Sequence, residues 1–341
     1  MYKNTMDLNN STQKINTPLE FVKLKGKIFN NEISYSTFKE NLKVNYKKVY
    51  FLVFLPFVFL FLSIFIGYFL ELNFATNILS KVIITIFISS FIGLIFHNMQ
   101  NIIHAATHYG LHKNKIKNDR IANLTAGLFT ACEVKQGRKI HSVHHTISGT
   151  IEDPESSYLH TLNFKKIISY FTGIEILKYI LEIDKKIKTD ENEKKKFKGK
   201  ISYILNPIRF YSLIVHLSFL SFFYFVLNSY ILIFAWVYGF FTFFPFFSSV
   251  QNMLEHSEEK QIKEQHGYIL KPINRNFESD FFSKYILGSY GTNKHALHHW
   301  DPTIHFLNVE ETTEFLLNSN ISKTIENHKA SYIDTLKKVY N

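Results

Sequence analysis

Four apolar runs of about twenty residues each set the class of this chain. Val49 to Leu70 is 22 residues without a charge, enough to cross a hydrocarbon core of about 30 Å at 1.5 Å of helix per residue. Ile78 to Phe96, Ile208 to Leu227 and Ile231 to Val250 repeat the pattern. Lys81 lies close enough to the start of the second run to snorkel. Aromatic residues make up 16%, and the 35 Phe concentrate in these runs, so an integral membrane protein fits better than a soluble domain. Glu71-Leu72-Asn73 ends the first run, Asn228-Ser229-Tyr230 separates the last two, and both connections are short. The expected fold is all-α: four transmembrane helices, about 49–70, 78–96, 208–227 and 231–250, in two antiparallel hairpins, within a membrane-embedded domain over 49–341. Pro56 is expected to kink the first span.

Charge gives the orientation. The net charge of +11 comes mostly from Lys outside the runs. The tail before the first span and the loop between the second and third carry most of it, and the hairpin turns almost none. By the positive-inside rule both termini face the cytoplasm. The first long run is too long for a signal-peptide core, so no signal peptide is expected. Cys132, the lone cysteine, excludes an intrachain disulfide and fits a reducing compartment. Residues 1–48 read as a cytoplasmic N-terminal segment. Within it, residues 1–16 are expected to be a partly ordered tail, and Pro18 to Lys48 an interfacial helix with Leu19, Phe21, Val22, Ile28 and Phe29 as contacts. Ile121 to Ala131 is too short to span and should lie in the interface. Phe164 to Leu181 reads as an amphipathic interfacial helix, and Lys185 to Lys200 as a solvated stretch. Thr312 to Leu317 and Ile321 to Tyr340 read as terminal helices.

The chemistry is carried by histidine. His104 and His108 form an i, i+4 pair, which shares one helical face. His141 shares a face with His144 and His145, and His295 repeats this with His298 and His299. His256 follows the fourth span, with Asn252 one turn earlier. A single H-x-x-x-H is usually chance; the joint occurrence of these pieces, each after an apolar segment or an interfacial loop, is what points to metal. Nine imidazoles are more than one ion holds, so two neighbouring ions are the natural reading. With no Cys among the ligands, iron, zinc or copper suits the set. His104 lies eight residues past Phe96 and His256 six past Val250, about 12 and 9 Å along continued helices, so two membrane helices deliver ligands at one level. His112, a turn beyond His108, is a possible extra ligand. Asp153 and Asp301 each follow a box and precede a Pro; such carboxylates either accept the second ring N–H of a ligand or cap a turn. His97 reads as a satisfied interfacial histidine. His216, mid-span, reads as a structural hydrogen-bonding partner rather than a functional group.

The order H-x-x-x-H, H-x-x-H-H, H-x-x-H-H resembles the three histidine boxes of the membrane fatty acid desaturase and hydroxylase superfamily. Asn252-x-x-x-His256 resembles the Asn/His element before the last box of acyl desaturases. Gly149-Thr150-Ile151-Glu152-Asp153-Pro154-Glu155 resembles the G-T-x-x-D-P-[DE] of several branches, carotenoid ketolases included. The resemblance covers roughly Val49 to Leu317. Ala105 departs from it, since many members carry Asp or Glu after the first His.

The resemblance implies a di-iron centre on the nine histidines, O₂ as co-substrate, and insertion of a double bond into the acyl chain of a membrane lipid or acyl thioester. Asn252 would contact a metal through water. Lipid hydroxylation and carotenoid ketolation are the alternatives within the superfamily. Electrons must come from a separate donor such as ferredoxin or cytochrome b5, because the chain has no H-P-G-G haem motif of a fused cytochrome b5. A basic cytoplasmic face suits an acidic carrier. A bacterial inner membrane is the expected location. A metal transporter or sensor is the non-enzymatic alternative, but transporters place ligands near the midplane, where only His216 lies. No phosphate-binding Gly-rich loop or Ser-His-Asp set is visible, and nucleic acid is not an expected partner.

Overall fold

The computed structural model describes residues 18–148, 150, 152–155, 162–175, 206–256, 263–264, 267–268 and 274–340. The expected tail over residues 1–16, Gly149 and Ile151 of the G-T-x-x-D-P-E run, and the Lys185 to Lys200 stretch lie outside the described residues.

Four helices are long and apolar enough to cross a membrane: α3 (Tyr46–Phe74), α4 (Ile78–Thr107), α9 (Pro207–Phe225) and α10 (Tyr230–His256). Each begins where the sequence supplies a side-chain cap. Asn45 accepts from the Lys48 amide, Asn77 and Ser80 form a capping box, Asn206 accepts from the Ile208 amide ahead of Pro207, and Ser229 accepts from the Leu232 amide. The helices outrun the apolar stretches. α4 continues eleven residues beyond Phe96, and α10 continues to His256, as the histidine spacing requires. α3 runs unbroken through Pro56.

α4 is the central helix, packed against α3, α10 and the segments that follow it. Ile88, Ile92 and Phe96 on α4 form one buried cluster with Leu60 and Ile64 on α3 and Leu232, Ala235 and Trp236 on α10. The α4–α10 crossing is close because Gly93 and Gly239 meet there: a Cβ on Gly93 would lie 2.8 Å from the Phe244 amide and 2.9 Å from the Gly239 carbonyl. Small residues let membrane helices approach in this way. α10 passes through a π-turn at Gly239–Phe243, immediately before Pro245, whose missing N–H and ring would break a regular helix. Phe51, Phe54, Phe65, Phe69, Leu213, Phe225 and Phe234 point outward, as lipid-facing side chains would. The two connections meet where Glu71 accepts a hydrogen bond from the Ser229 hydroxyl.

Short elements gather beyond the His104 end of α4. α5 (Lys115–Ala122) runs through a π-turn at Asn123–Gly127 into α6 (Leu128–Thr130). α7 (Val134–Ile147) follows, then α8 (Phe164–Phe171), which occupies the first part of the expected amphipathic helix. After α10 come an antiparallel pair β3–β4 (Lys263–Glu264, Gly267–Tyr268), β5 (Asn276–Phe277), a π-turn at Phe282–Leu287, α11 (His295–Trp300), α12 (Val309–Leu317), α13 (Ser322–Asn327), β6 (Lys329–Ala330) and α14 (Tyr332–Val339). β6 pairs in parallel with β5, Asn276 opposite Lys329 and Phe277 opposite Ala330.

The single interfacial helix expected over Pro18 to Lys48 is not formed. The segment breaks into α1 (Pro18–Leu24), an antiparallel pair β1–β2 (Phe29–Asn30, Ile33–Ser34) and α2 (Tyr35–Asn41). Asn31 turns the strands at φ 51°, a conformation Asn tolerates better than most residues. Ser34 caps α2 by accepting from the Thr37 amide. Phe21 and Ile28 are buried against the last third of the chain, while Val22 and Phe29 are exposed.

Candidate metal centre

Each histidine box is delivered by a separate local device. His104 sits on the last turns of α4 and His108 just past its end, where Tyr109, at φ 60°, turns the chain away. α7 is capped by Glu133, which accepts from the Lys135 and Gln136 amides. One turn before His141, Arg138 reaches back to α4, donating to the Thr107 carbonyl at 2.9 Å and the Ala106 carbonyl at 3.1 Å. Its guanidinium also pairs with Asp119 at 2.6 Å. Arg138 thus satisfies the Thr107 carbonyl, shares the Ala106 carbonyl with Asn118 and the Tyr109 amide, and fixes the second-box helix beside the first.

The boxes converge. His104, His108, His141 and His298 offer ligand nitrogens within 4.8 Å of one another, and His144, His256, His295 and His299 form a second such group. His145 lies between them. Its Nε2 is 2.9 Å from that of His141 and 3.0 Å from that of His298, and its ring centroid is 4.4 Å from that of His299. All nine sequence-predicted histidines therefore meet in one place. His141, His144, His256, His295 and His299 are buried, and the other four half-buried.

Oxygen atoms behind the rings fix their tautomers. His141 Nδ1 faces Glu155 Oε1 at 3.1 Å, His144 Nδ1 faces Asp153 Oδ2 at 2.8 Å, and His256 Nδ1 faces Asn274 Oδ1 at 2.9 Å. His295 Nδ1 lies 3.3 Å from Glu255 Oε2, close but out of line for a hydrogen bond. An acceptor at Nδ1 keeps the proton there and leaves a bare lone pair on Nε2. The bare Nε2 of His141 lies 3.2 Å from Nε2 of His298, and that of His256 lies 2.8 Å from Nε2 of His295. Ring nitrogens converging at that range are placed to share a cation. His108 Nε2 and His145 Nδ1 are buried without a hydrogen-bond partner. The donor set therefore fits two metal ions that take imidazole.

Most of the rings outside the spans are also driven toward the neutral, ligating state. Burial, reinforced by neighbouring rings, pushes His141, His295, His298 and His299 well below the usual imidazole range. Burial, with the charge of Arg138, brings His108 to about 4. His144 moves the other way: burial would lower it, but the bond to Asp153 and the charge of Glu155 raise it.

A family model described as fatty acid desaturase matches residues 81–333, well over half of the chain. The chain belongs to this family. No curated protein and no solved structure matches it. The match takes in all four histidine-bearing pieces of this desaturase-family chain and leaves α1, α2 and α3 before it.

The remaining site residues expected from the sequence divide. Asp153, fully buried, does sit on a ring nitrogen, that of His144. Of the two roles open to Asp301, it takes the turn role, bonding Thr303 two residues on, and not that of a ring acceptor. It accepts hydrogen bonds from Lys25, Lys39, Tyr35 and Thr303, because the turn after α11 points it at the N-terminal segment. Burial alone would raise its carboxyl; hydrogen bonds from Lys39, Thr303 and Lys25 hold it at about 2. His112 belongs to neither group. Its Nδ1 accepts from the Asn114 amide and its ring packs on Tyr46 and Tyr50. Asn252 donates to the Glu155 carbonyl at 3.0 Å, and its Oδ1 is buried without a partner. His97 is satisfied by Ser248 and the Leu287 carbonyl, and His216 accepts from the Trp236 indole.

Three orienting residues escape sequence reasoning. Glu155 and Glu255 carried weak signals, one two residues after Asp153 and one immediately before His256. Asn274 carried none. Replacing such a partner usually weakens metal affinity about 10–100-fold. Asp153→Asn is expected to lose metal to a competing chelator within that range, and His112→Ala to hold it as the unaltered protein does; titration against a chromogenic chelator checks both.

Proposed function

We propose that the nine histidines hold two iron ions and that the protein is an O₂-dependent desaturase of acyl chains in membrane lipids or acyl thioesters. The observation that carries this is the convergence of eight imidazoles into two adjacent groups, with His145 between them, in a chain of the fatty acid desaturase family. His104, His108, His141 and His298 would hold one ion and His144, His256, His295 and His299 the other, with His145 completing the set. Asn252 would reach a metal through a water on its unpaired Oδ1. When bound, the iron pair supplies the oxygen-derived oxidant that takes hydrogen from an unactivated C–H bond.

The chain's own residues do the rest. Asp153, Glu155 and Asn274 aim the rings of His144, His141 and His256. A cavity of about 260 Å³ reaches His104, His108 and His298 and is walled by Tyr46, Tyr290 and Phe306, which leaves room beside the first group for a substrate methylene. Holding that methylene in reach is the largest contribution a protein can make to such a reaction. Two electrons come from a separate carrier such as ferredoxin or cytochrome b5. Asn252-x-x-x-His256 favours desaturation over hydroxylation or ketolation.

The same reading places the four spans as two antiparallel hairpins with the helical cap and both termini in the cytoplasm of a bacterial cell. Reporter fusions after Asn73 and Ser229 are expected to report the side opposite to fusions after Asn114; the same side for all three overturns this topology.

Cells expressing the protein and fed perdeuterated fatty acid test the reaction. Lipid mass spectrometry is expected to find products that have lost two deuteriums and gained no oxygen. His298→Ala is expected to abolish them while the four helices remain folded. A product one oxygen heavier reassigns the protein as a hydroxylase. An unchanged lipid profile with altered metal uptake removes it from the enzymes.

A further inference from the structure

We infer that the N-terminal segment Pro18–Asn41, outside the residues matched by the family model, is a positioning element of the metal centre, clamping the third histidine box through Asp301. α11 carries three of the nine histidines on only six residues. A helix that short has no stability of its own, and its N-cap residue Lys294 makes no side-chain capping bond. Yet the site requires its rings to be held to within a fraction of an ångström.

Two interactions tie it to the N-terminal segment. Ala296, Leu297 and Trp300 alternate with the histidines and are buried in one cluster with Phe21, Ile28 and Tyr35. Phe21 stacks on Trp300 with centroids 5.7 Å apart and planes 13° from parallel. Directly after Trp300, Asp301 accepts from Lys25 Nζ at 2.9 Å, Lys39 Nζ at 2.7 Å and Tyr35 Oη at 3.1 Å. Asp301 is 5% exposed, so its charge is matched by ammonium groups supplied from more than 260 positions earlier in the chain. Removing the lysines would strand a buried carboxylate, the costly way to break such a pair. None of Phe21, Lys25, Tyr35 or Lys39 belongs to either histidine group; they act through α11.

The test is hydrogen–deuterium exchange and iron content of the full-length protein, purified in detergent, as Lys25→Ala/Lys39→Ala and as Lys25→Arg/Lys39→Arg. In the alanine variant, amide exchange over residues 295–301 is expected to speed up about tenfold, with exchange in the four long helices unchanged. Iron per chain is expected to fall at least by half, and the arginine variant to restore both. Unchanged exchange over 295–301 overturns the clamp. Faster exchange with iron kept at the unaltered level overturns the positioning role. The iron readout rests on the di-iron reading. That reading is judged first on the unaltered protein, so its failure is distinguishable from failure of the clamp, which exchange judges alone.

Discussion

Nine imidazoles share one small volume with ring nitrogens turned toward each other, and much of the structure outside the spans holds that arrangement in place. Each ring must be neutral, must carry its proton on the outward nitrogen, and must be fixed in direction. Burial favours the first for His108, His141, His295, His298 and His299, while Asp153 and Glu155 outweigh it at His144. Asp153, Glu155 and Asn274 meet the second for His144, His141 and His256. The third is met by packing: each box rides on an element whose other contacts have nothing to do with the site.

Those contacts run from the membrane outward. α4 and α10 cross closely at Gly93 and Gly239 and continue past their apolar lengths, so His104 and His256 inherit the rigidity of membrane helices. α7 has no such support and is tied to the end of α4 by Arg138. α11 is shortest and depends most on other segments. β5 also holds it, through Asn276 Oδ1, which accepts from the Leu297 amide at 3.1 Å. The same physical solution recurs at three strengths: a long helix, a short helix with one bidentate anchor, and a two-turn helix held from both sides.

The spans and the histidines were legible in the sequence because their signals are local. A run without charges can lie only in a membrane or a core, and i, i+3, i+4 spacing fixes a face wherever a helix forms. The extension of α4 and α10 to their histidines followed from the same arithmetic. What was not legible depends on residues distant in sequence. Asp301 follows a box just as Asp153 does, yet one meets an imidazole and the other two lysines, because the turn after each helix differs. Asn274 has no spacing signal at all. The N-terminal segment reads as amphipathic and polar, which is equally true of a membrane-surface helix. Only its partners, Trp300 and Asp301, distinguish a buried clamp from an interfacial strand of chain.

The most direct test of the two-ion arrangement is the metal content and spectroscopy of the protein purified after iron-supplemented expression. About two irons per chain are expected, with Mössbauer spectra showing both in nitrogen-rich, non-haem environments. One iron per chain, unchanged when His256 is replaced by Ala, would contradict a pair of ions bound by these nine histidines.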